Sequence, residues 1–180
     1  MRDLVLYIAT SLDGFIARAD GAVDWLTPDQ EFSNEDYGYQ KFLQTIDTIL
    51  MGRKTYDQLL EFGPFPYENK QCYVFTRDEA KTEDEHVQFV HENINNFVKM
   101  LKLGKGLNIW LVGGGAIINE IMPHNLIDKY IISILPILLG SGIPLFQPKS
   151  YEVRLKLDNQ ISFQSGLVQL HYSRIHATDG

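Results

Sequence analysis

Three short segments carry the residue types that grip a polyanion. Gly52-Arg53-Lys54-Thr55 follows the apolar run Thr48–Met51, Gly113-Gly114-Gly115 follows Ile109–Val112, and Thr76-Arg77 follows Cys72–Phe75. The first two stand where a helix begins. A helix N-terminus offers unpaired backbone N–H groups and a partial positive charge, which suits phosphate oxygens. Glycine lets the backbone come close to such a ligand without a Cβ in the way. Arg53 and Arg77 add planar, fork-shaped donors that match a phosphate monoester. Taken singly, each segment also has a plain structural reading, as a tight strand-to-helix turn or a solvated charge. Their joint occurrence behind three strands points to a dinucleotide. The Rossmann fingerprint is absent, because Gly113-Gly114-Gly115-Ala116-Ile117-Ile118 lacks the third glycine, and no Walker motif surrounds Gly104-Lys105-Gly106.

A second group could act on a substrate. Ser11 and Asp13 lie in a Gly-containing loop, where Asp13-Gly14 is also a turn signal. Asp36 falls at the start of an apolar-periodic segment and reads equally as a first-turn acid complementing a helix dipole. Trp25 is a flat wall for a ring or simply core packing. Nucleophile and metal chemistry have little support. Cys72 stands alone and mid-strand, His86/His91 and His171/His176 are each five apart, and there is no Gly-x-Ser-x-Gly elbow. No metal site is expected.

These residues need a scaffold of alternating strands and helices. Leu4–Ala9, Thr48–Met51, Cys72–Phe75, Val87–Val90 and Ile109–Val112 are apolar runs too short for helices. Between them, helical spacing predicts a helix from Ser33 to Thr45 through Phe32, Tyr39, Phe42, Leu43 and Ile46. Further helices carry Tyr56, Leu59 and Leu60, then Ile94, Phe97, Val98 and Leu101, and a last one ends before Pro123. The final third reads as β: Tyr130–Leu135, then Val153/Leu155/Leu157 and Val168/Leu170/Tyr172, each set alternating with polar residues. The fold class is α/β, with a central mixed sheet, mostly parallel, and antiparallel C-terminal strands. In such sheets ligands bind at the carboxyl ends of the strands, where all three anion-binding segments fall.

The composition agrees with one enzyme-sized domain over residues 1–180. Hydrophobic residues make up 44% and aromatics 12%, so a packed core is expected. The 16 basic and 23 acidic residues leave a net charge of −7, which argues against nucleic acid and anionic membranes as partners. The uncharged stretch between Lys129 and Lys149 is broken by Pro136, Gly140, Gly142, Pro144 and Pro148, so it is no membrane span. A lone cysteine and no signal-like N-terminus fit a soluble, cytoplasmic protein.

Ser11-Leu12-Asp13-Gly14-Phe15-Ile16-Ala17, Gly52-Arg53-Lys54-Thr55-Tyr56, Thr76-Arg77 and Gly113-Gly114-Gly115 occur in this order. Leu126-Ile127-Asp128-Lys129-Tyr130 and Leu139-Gly140-Ser141-Gly142-Ile143-Pro144-Leu145-Phe146 follow. Together they resemble the dihydrofolate-reductase-like superfamily, in the branch of the reductase (C-terminal) domain of the bacterial riboflavin-biosynthesis protein. The resemblance spans roughly Leu4 to Ile175. It implies an eight-stranded, mostly parallel sheet between helices, with NADPH as hydride donor. Carried over by motif, Gly52, Arg53, Lys54 and Thr55 meet NADPH phosphates, and Thr76 and Arg77 face the adenosine 2′-phosphate. Gly113, Gly114, Gly115 and Ala116 hold the pyrophosphate, while Ala9 and Ile16 lie by the nicotinamide. Ser11, Asp13 and Trp25 fall on the substrate side. Hydride delivery to a C=N or C=O bond needs a proton. Counting back from Gly52 to the acid that folate reductases carry on the preceding helix lands on Asp36.

The resemblance implies a small heterocyclic substrate, pyrimidine- or pterin-like. The Asp-Pro-x-Leu-Thr-x-Arg segment of riboflavin-pathway reductases is replaced by Leu59–Tyr67, with no arginine before Arg77, and the Leu-Pro-Trp of folate reductases by Val23-Asp24-Trp25-Leu26. Dihydrofolate reduction and a non-catalytic NADPH-binding or sensor role are the alternatives. The apolar Tyr130–Phe146 region and late strands, with the habit of this branch, predict a homodimer.

Overall fold

Short apolar runs close into one sheet because each buries both faces between helices. A computed structural model describes residues 1–26, 34–80, 84–148 and 151–175. Phe32, Ser33, Lys149 and His176 lie outside the described residues. The strands are β1 (Leu4–Ser11), β2 (Phe15–Ala17), β3 (Ile46–Gly52), β4 (Gln71–Phe75), β5 (Gln88–Val90), β6 (Asn108–Gly113), β7 (Lys129–Leu135), β8 (Ile143–Pro144), β9 (Leu155–Ser162) and β10 (Val168–Arg174). The helices are α1 (Tyr39–Leu43), α2 (Arg53–Glu61), α3 (Ile94–Leu103) and α4 (Gly115–Ile121). Eight strands form the main sheet in the order β5-β4-β3-β6-β1-β7-β10-β9. Those from β5 to β7 are parallel, and β10 and β9 run antiparallel at one edge. This is the three-layer architecture expected from the sequence.

Side-chain alternation splits the core in two. Leu4 and Leu6 of β1 meet α3 and α4 through Phe97, Val98, Leu101, Ile118 and Ile121 on one face. On the other, Val5 and the partly buried Tyr7 join Phe42 of α1, Tyr56 of α2 and Trp110 of β6. Asn93 caps α3, its side chain accepting from Asn95 and Asn96 N–H groups at 3.0 and 3.2 Å.

Three departures from the sequence reading have physical causes. The helix expected from Ser33 begins only at Tyr39 among the described residues. Tyr37 (φ 52°) and Gly38 (φ 79°) are left-handed and cannot continue a right-handed helix. The loop after Ser11 contains β2, which pairs with β8 in a small two-stranded sheet. Gly142 permits this approach, since a Cβ there would sit 2.3 Å from the Ala17 carbonyl oxygen. The apolar alternation of the last strands does not mark a buried face. Val153 precedes β9, all of β9 is exposed, and in β10 it is Gln169 that is 2% exposed while Val168 is 37% exposed.

No helix among the described residues is long and apolar enough to cross a membrane. The edge where the parallel strands begin is tied by ion pairs. Arg2 joins Asp47, and Asp128 joins Lys102 and Arg174. Surface depressions of about 260 and 330 Å³ lie at that edge, beside Cys72 and Asp128 respectively.

Cys72 is buried, and that burial pushes its thiol up to about 12. Only the thiolate alkylates. Iodoacetamide at mildly alkaline pH should therefore modify the folded protein at least about 100-fold more slowly than the urea-unfolded chain. Comparable rates, followed by mass spectrometry, would show that the start of β4 is not closed as described.

Candidate active site at the strand ends

The parallel register brings the three anion-binding segments level. In β3, Gly52 pairs with Phe75 and Met51 with Gly113, so the turns after β3, β4 and β6 emerge side by side. Two of them touch. A Cβ on Gly52 would lie 3.0 Å from Ile117 Cδ1, and one on Gly114 would lie 3.3 Å from Thr55 Oγ1. Gly114 also has φ +38° with ψ 139°, a conformation that side chains rarely allow. The α2 and α4 helix starts open onto this edge, where Ile117 N–H already donates to the Gly114 carbonyl at 3.0 Å and the N–H groups before it are left for a ligand or water.

The cations differ in their commitments. Arg53 Nε donates to Asp57 Oδ1 at 2.6 Å, and its guanidinium lies 5.4 Å from the Phe89 ring centre. Arg77 is exposed and has no hydrogen-bond or ion-pair partner among the described residues; Lys54 is also exposed. Thr76 N–H donates to the Val90 carbonyl at 3.1 Å, which fixes the start of the Arg77 segment.

The loop after β1 closes the other side. Ser11 Oγ donates to Asp13 Oδ1 at 2.6 Å and accepts from Phe15 N–H at 3.0 Å. Asp13 also accepts from Leu139 N–H at 3.1 Å and Gly140 N–H at 2.7 Å. Asp13 thereby staples the first loop to the segment after β7. Ile16 and Ile143, brought together by the β2–β8 pairing, flank Gly115: a Cβ on that glycine would lie 3.3 Å from Ile143 Cγ2 and 3.6 Å from Ile16 Cδ1. The Ser11 hydroxyl and two backbone N–H groups hold the Asp13 carboxyl below its usual range, which suits a staple better than a proton donor.

Asp36 precedes α1 instead of lying on it. Its Oδ1 accepts from Gly38 N–H at 2.9 Å and its Oδ2 from Gln40 N–H at 3.1 Å, so it caps the turn into the helix. Trp25 is 8% exposed and belongs to neither main core. Its indole N–H is buried with no acceptor among the described residues. Nothing among the described residues gathers three metal-ligating side chains.

One polar group went unread in the sequence. Tyr7 of β1, Ser133 of β7, and Gln169 and His171 of β10 project on the α1 face, beside Ala9. The signal was there in Ser133, set among isoleucines, and in Gln169, but alternation alone assigned Gln169 to solvent.

The family model for the RibD C-terminal domain matches residues 2–169. The chain belongs to the RibD C-terminal domain family. It is 47% identical over 175 residues to the uncharacterized protein YwjB of Bacillus subtilis (strain 168), covering 96% of this chain and 98% of that one. A putative riboflavin biosynthesis protein from Shewanella sp. PV-4 superposes with a TM-score of 0.85 at 31% identity, over 97% and 99% of the two chains. Dihydrofolate reductase from Enterococcus faecalis, solved with NADP(H) and RAB-propyl, gives 0.68 at 18% identity over 97% of each chain, a likeness of fold. This RibD C-terminal domain is thus dihydrofolate-reductase-like in architecture, and its stapled loop and three turns share one edge of the sheet.

Asp13→Ala should release the segment after β7. Hydrogen exchange at the Leu139 and Gly140 amides should accelerate while β1 amides in the sheet keep their protection. Because folding lowers the Asp13 carboxyl, its contribution is complete above the ordinary carboxylate range, about 4, and fades as the pH falls through the lowered value. Unchanged exchange at both amides would refute the staple.

Proposed function

We propose that this protein is an NADPH-dependent oxidoreductase that reduces a C=N or C=O bond of a small pyrimidine- or pterin-like heterocycle. The observation that carries this reading is the convergence of the β3, β4 and β6 ends, which puts the segments of Arg53, Thr55, Thr76 and Arg77 and two glycine-lined helix starts on one edge of the sheet. Membership of the RibD C-terminal domain family supports it.

The residues fit NADPH as a polyanion. Arg53, Lys54 and Thr55, with the first turn of α2, would meet its phosphates. Gly113, Gly114, Gly115 and Ala116 would take the pyrophosphate, where a Cβ on Gly114 would crowd Thr55. Arg77 and Thr76 would hold the 2′-phosphate, which selects NADPH over NADH. Ala9 and Ile16 would border the nicotinamide. When bound, NADPH supplies a hydride. Asp13 keeps the first loop fastened over that edge, and Trp25 and Ser11 would fall on the substrate side. We assign proton supply to Asp36, which would face the substrate from the turn into α1 and whose charge reaches the Tyr7 phenol.

The exposed apolar residues Leu155, Leu157, Ile161 and Val168 on β9 and β10 support a homodimer through this edge of the sheet. A monomeric mass in solution scattering at micromolar concentration would exclude it.

Arg77→Ala should weaken NADPH roughly tenfold to hundredfold, as for loss of a charged hydrogen bond, and leave NADH nearly unchanged. Equal losses for both cofactors would remove Arg77 from the 2′-phosphate. NADPH consumption against a panel of pterins, pyrimidinones and quinones tests the reaction. Binding without turnover on any of them would favour a sensor.

A further inference from the structure

Gln169 is 2% exposed, at the centre of the polar group on the α1 face. Its Nε2 lies 3.1 Å from Ser133 Oγ, 3.3 Å from the Tyr37 carbonyl oxygen and 3.4 Å from Tyr7 Oη. Its Oε1 lies 2.7 Å from His171 Nε2. The Tyr37 carbonyl can only accept, so the NH2 of Gln169 must face it and the amide oxygen must face His171. His171 therefore carries hydrogen on Nε2. The amide nitrogen carries two hydrogens, one for the Tyr37 carbonyl and one that Ser133 Oγ and Tyr7 Oη share, and it cannot accept, so neither hydroxyl donates to it. Their own hydrogens must point elsewhere, and among the described residues neither hydroxyl has an acceptor.

The hydroxyls are held at fixed places. The Tyr7 ring stacks on Phe42, with centroids 4.4 Å apart and planes 13° apart, and meets Trp110 edge-on at 6.2 Å. Ser133 pairs with Ala9 across β1 and β7 and is 6% exposed. Alternation along β1 puts Tyr7, Ala9 and Ser11 on this one face. Tyr37, held left-handed at φ 52°, closes the far side through its carbonyl and through its ring, 5.0 Å from Phe163 and edge-on. The pairing of β10 with β9 shifts register between His171 and Tyr172, where Asp158 is the extra residue on β9.

We infer that Tyr7 and Ser133 form a pair of hydroxyl donors that anchors a carbonyl oxygen of the substrate ring, and that Gln169 is the positioning residue that turns both hydrogens toward it. The inference rests on the proposed reductase reading, which places the nicotinamide beside Ala9, and it narrows the substrate class to oxo-heterocycles. A ring bearing an amino group at the same place could use only the hydroxyl lone pairs and would leave both O–H groups unmet, a costly outcome for buried donors. Burial also pushes the Tyr7 phenol up, so it keeps its hydrogen at neutral pH.

The test compares two matched rings on the protein saturated with NADP⁺: pterin, which carries a ring carbonyl, and diaminopteridine, in which an amino group replaces that oxygen. Calorimetry should give pterin a roughly tenfold tighter affinity. Tyr7→Phe and Ser133→Ala should each bring the ratio toward one. Gln169→Glu supplies an acceptor in place of the donor, so both hydroxyls turn inward and the preference should reverse. A purely structural role for Gln169 would lower both affinities together, which would overturn the positioning role. Tyr7→Phe keeps its ring on Phe42, so the outcome does not depend on the Glu variant folding. Equal affinities in the native protein, an unchanged ratio in Tyr7→Phe, or binding of neither ring would overturn the inference. NADP⁺ titration of the same samples separates these outcomes from failure of the reductase reading, which would show as no NADP⁺ binding at all.

Discussion

The parallel register of β3 between β4 and β6 is the constraint on which the candidate site depends. Parallel neighbours end on the same side of a sheet, so the turns that leave them are forced together. With Gly52 opposite Phe75 and Met51 opposite Gly113, the helix starts after β3 and β6 come within van der Waals contact of each other. Any slip of one residue would swap the two buried faces of β3, where Ile49, Leu50 and Met51 are all fully enclosed, and would misfit the packing of both cores. Packing of the sheet core thereby enforces the geometry of the edge where the three turns emerge, and no separate interaction is needed to hold them in line.

The loop after β1 solves a different problem. It is too polar to be held by burial, and its register comes from hydrogen bonds. Asp13 is exposed, yet it gathers two backbone N–H groups from the segment after β7 and the hydroxyl of Ser11. The β2–β8 pairing adds a second clamp, possible only because Gly142 brings no Cβ against the Ala17 carbonyl. The first loop and the segment at Leu139–Leu145 are more than a hundred residues apart in sequence and behave as one wall of the site.

Much of this was legible in the chain. The strand runs, the α3 helix and the three phosphate-type turns follow from local pattern: an apolar run too short for a helix, or a glycine-rich turn behind a strand. The start of α1 was not legible, because the left-handed backbone at Tyr37 depends on Gln169 and Phe163, which reach it from the other end of the chain. Asp36 moved from helix to cap for the same reason. The face of β10 was misjudged because binary patterning assumes that polar residues seek water, and it cannot see a partner such as Tyr7 across the sheet. Asp13 could be placed near the substrate by motif, but its hydrogen bonds to Leu139 and Gly140 exist only in the folded chain.

The sheet therefore has two chemically distinct halves. Its parallel half, β3 to β6, presents backbone N–H groups and arginines, features that suit a phosphate whatever the rest of the ligand may be. Its other half brings β1 and β7 beside the antiparallel β10, and there the polar groups are side chains: a phenol, a hydroxyl, an amide and an imidazole. Backbone donors are fixed by the fold, so in the parallel half only the charged side chains beside them change with sequence. Side-chain donors change with a single substitution, and the amide of Gln169 sets the direction of two hydroxyls at once. Substitutions in the antiparallel half can therefore change its polar pattern while the turns after β3, β4 and β6 stay as they are. On the proposed reading, one scaffold would keep its cofactor while its second ligand diverges, and the buried polar residues of β7 and β10 are where such divergence would be written.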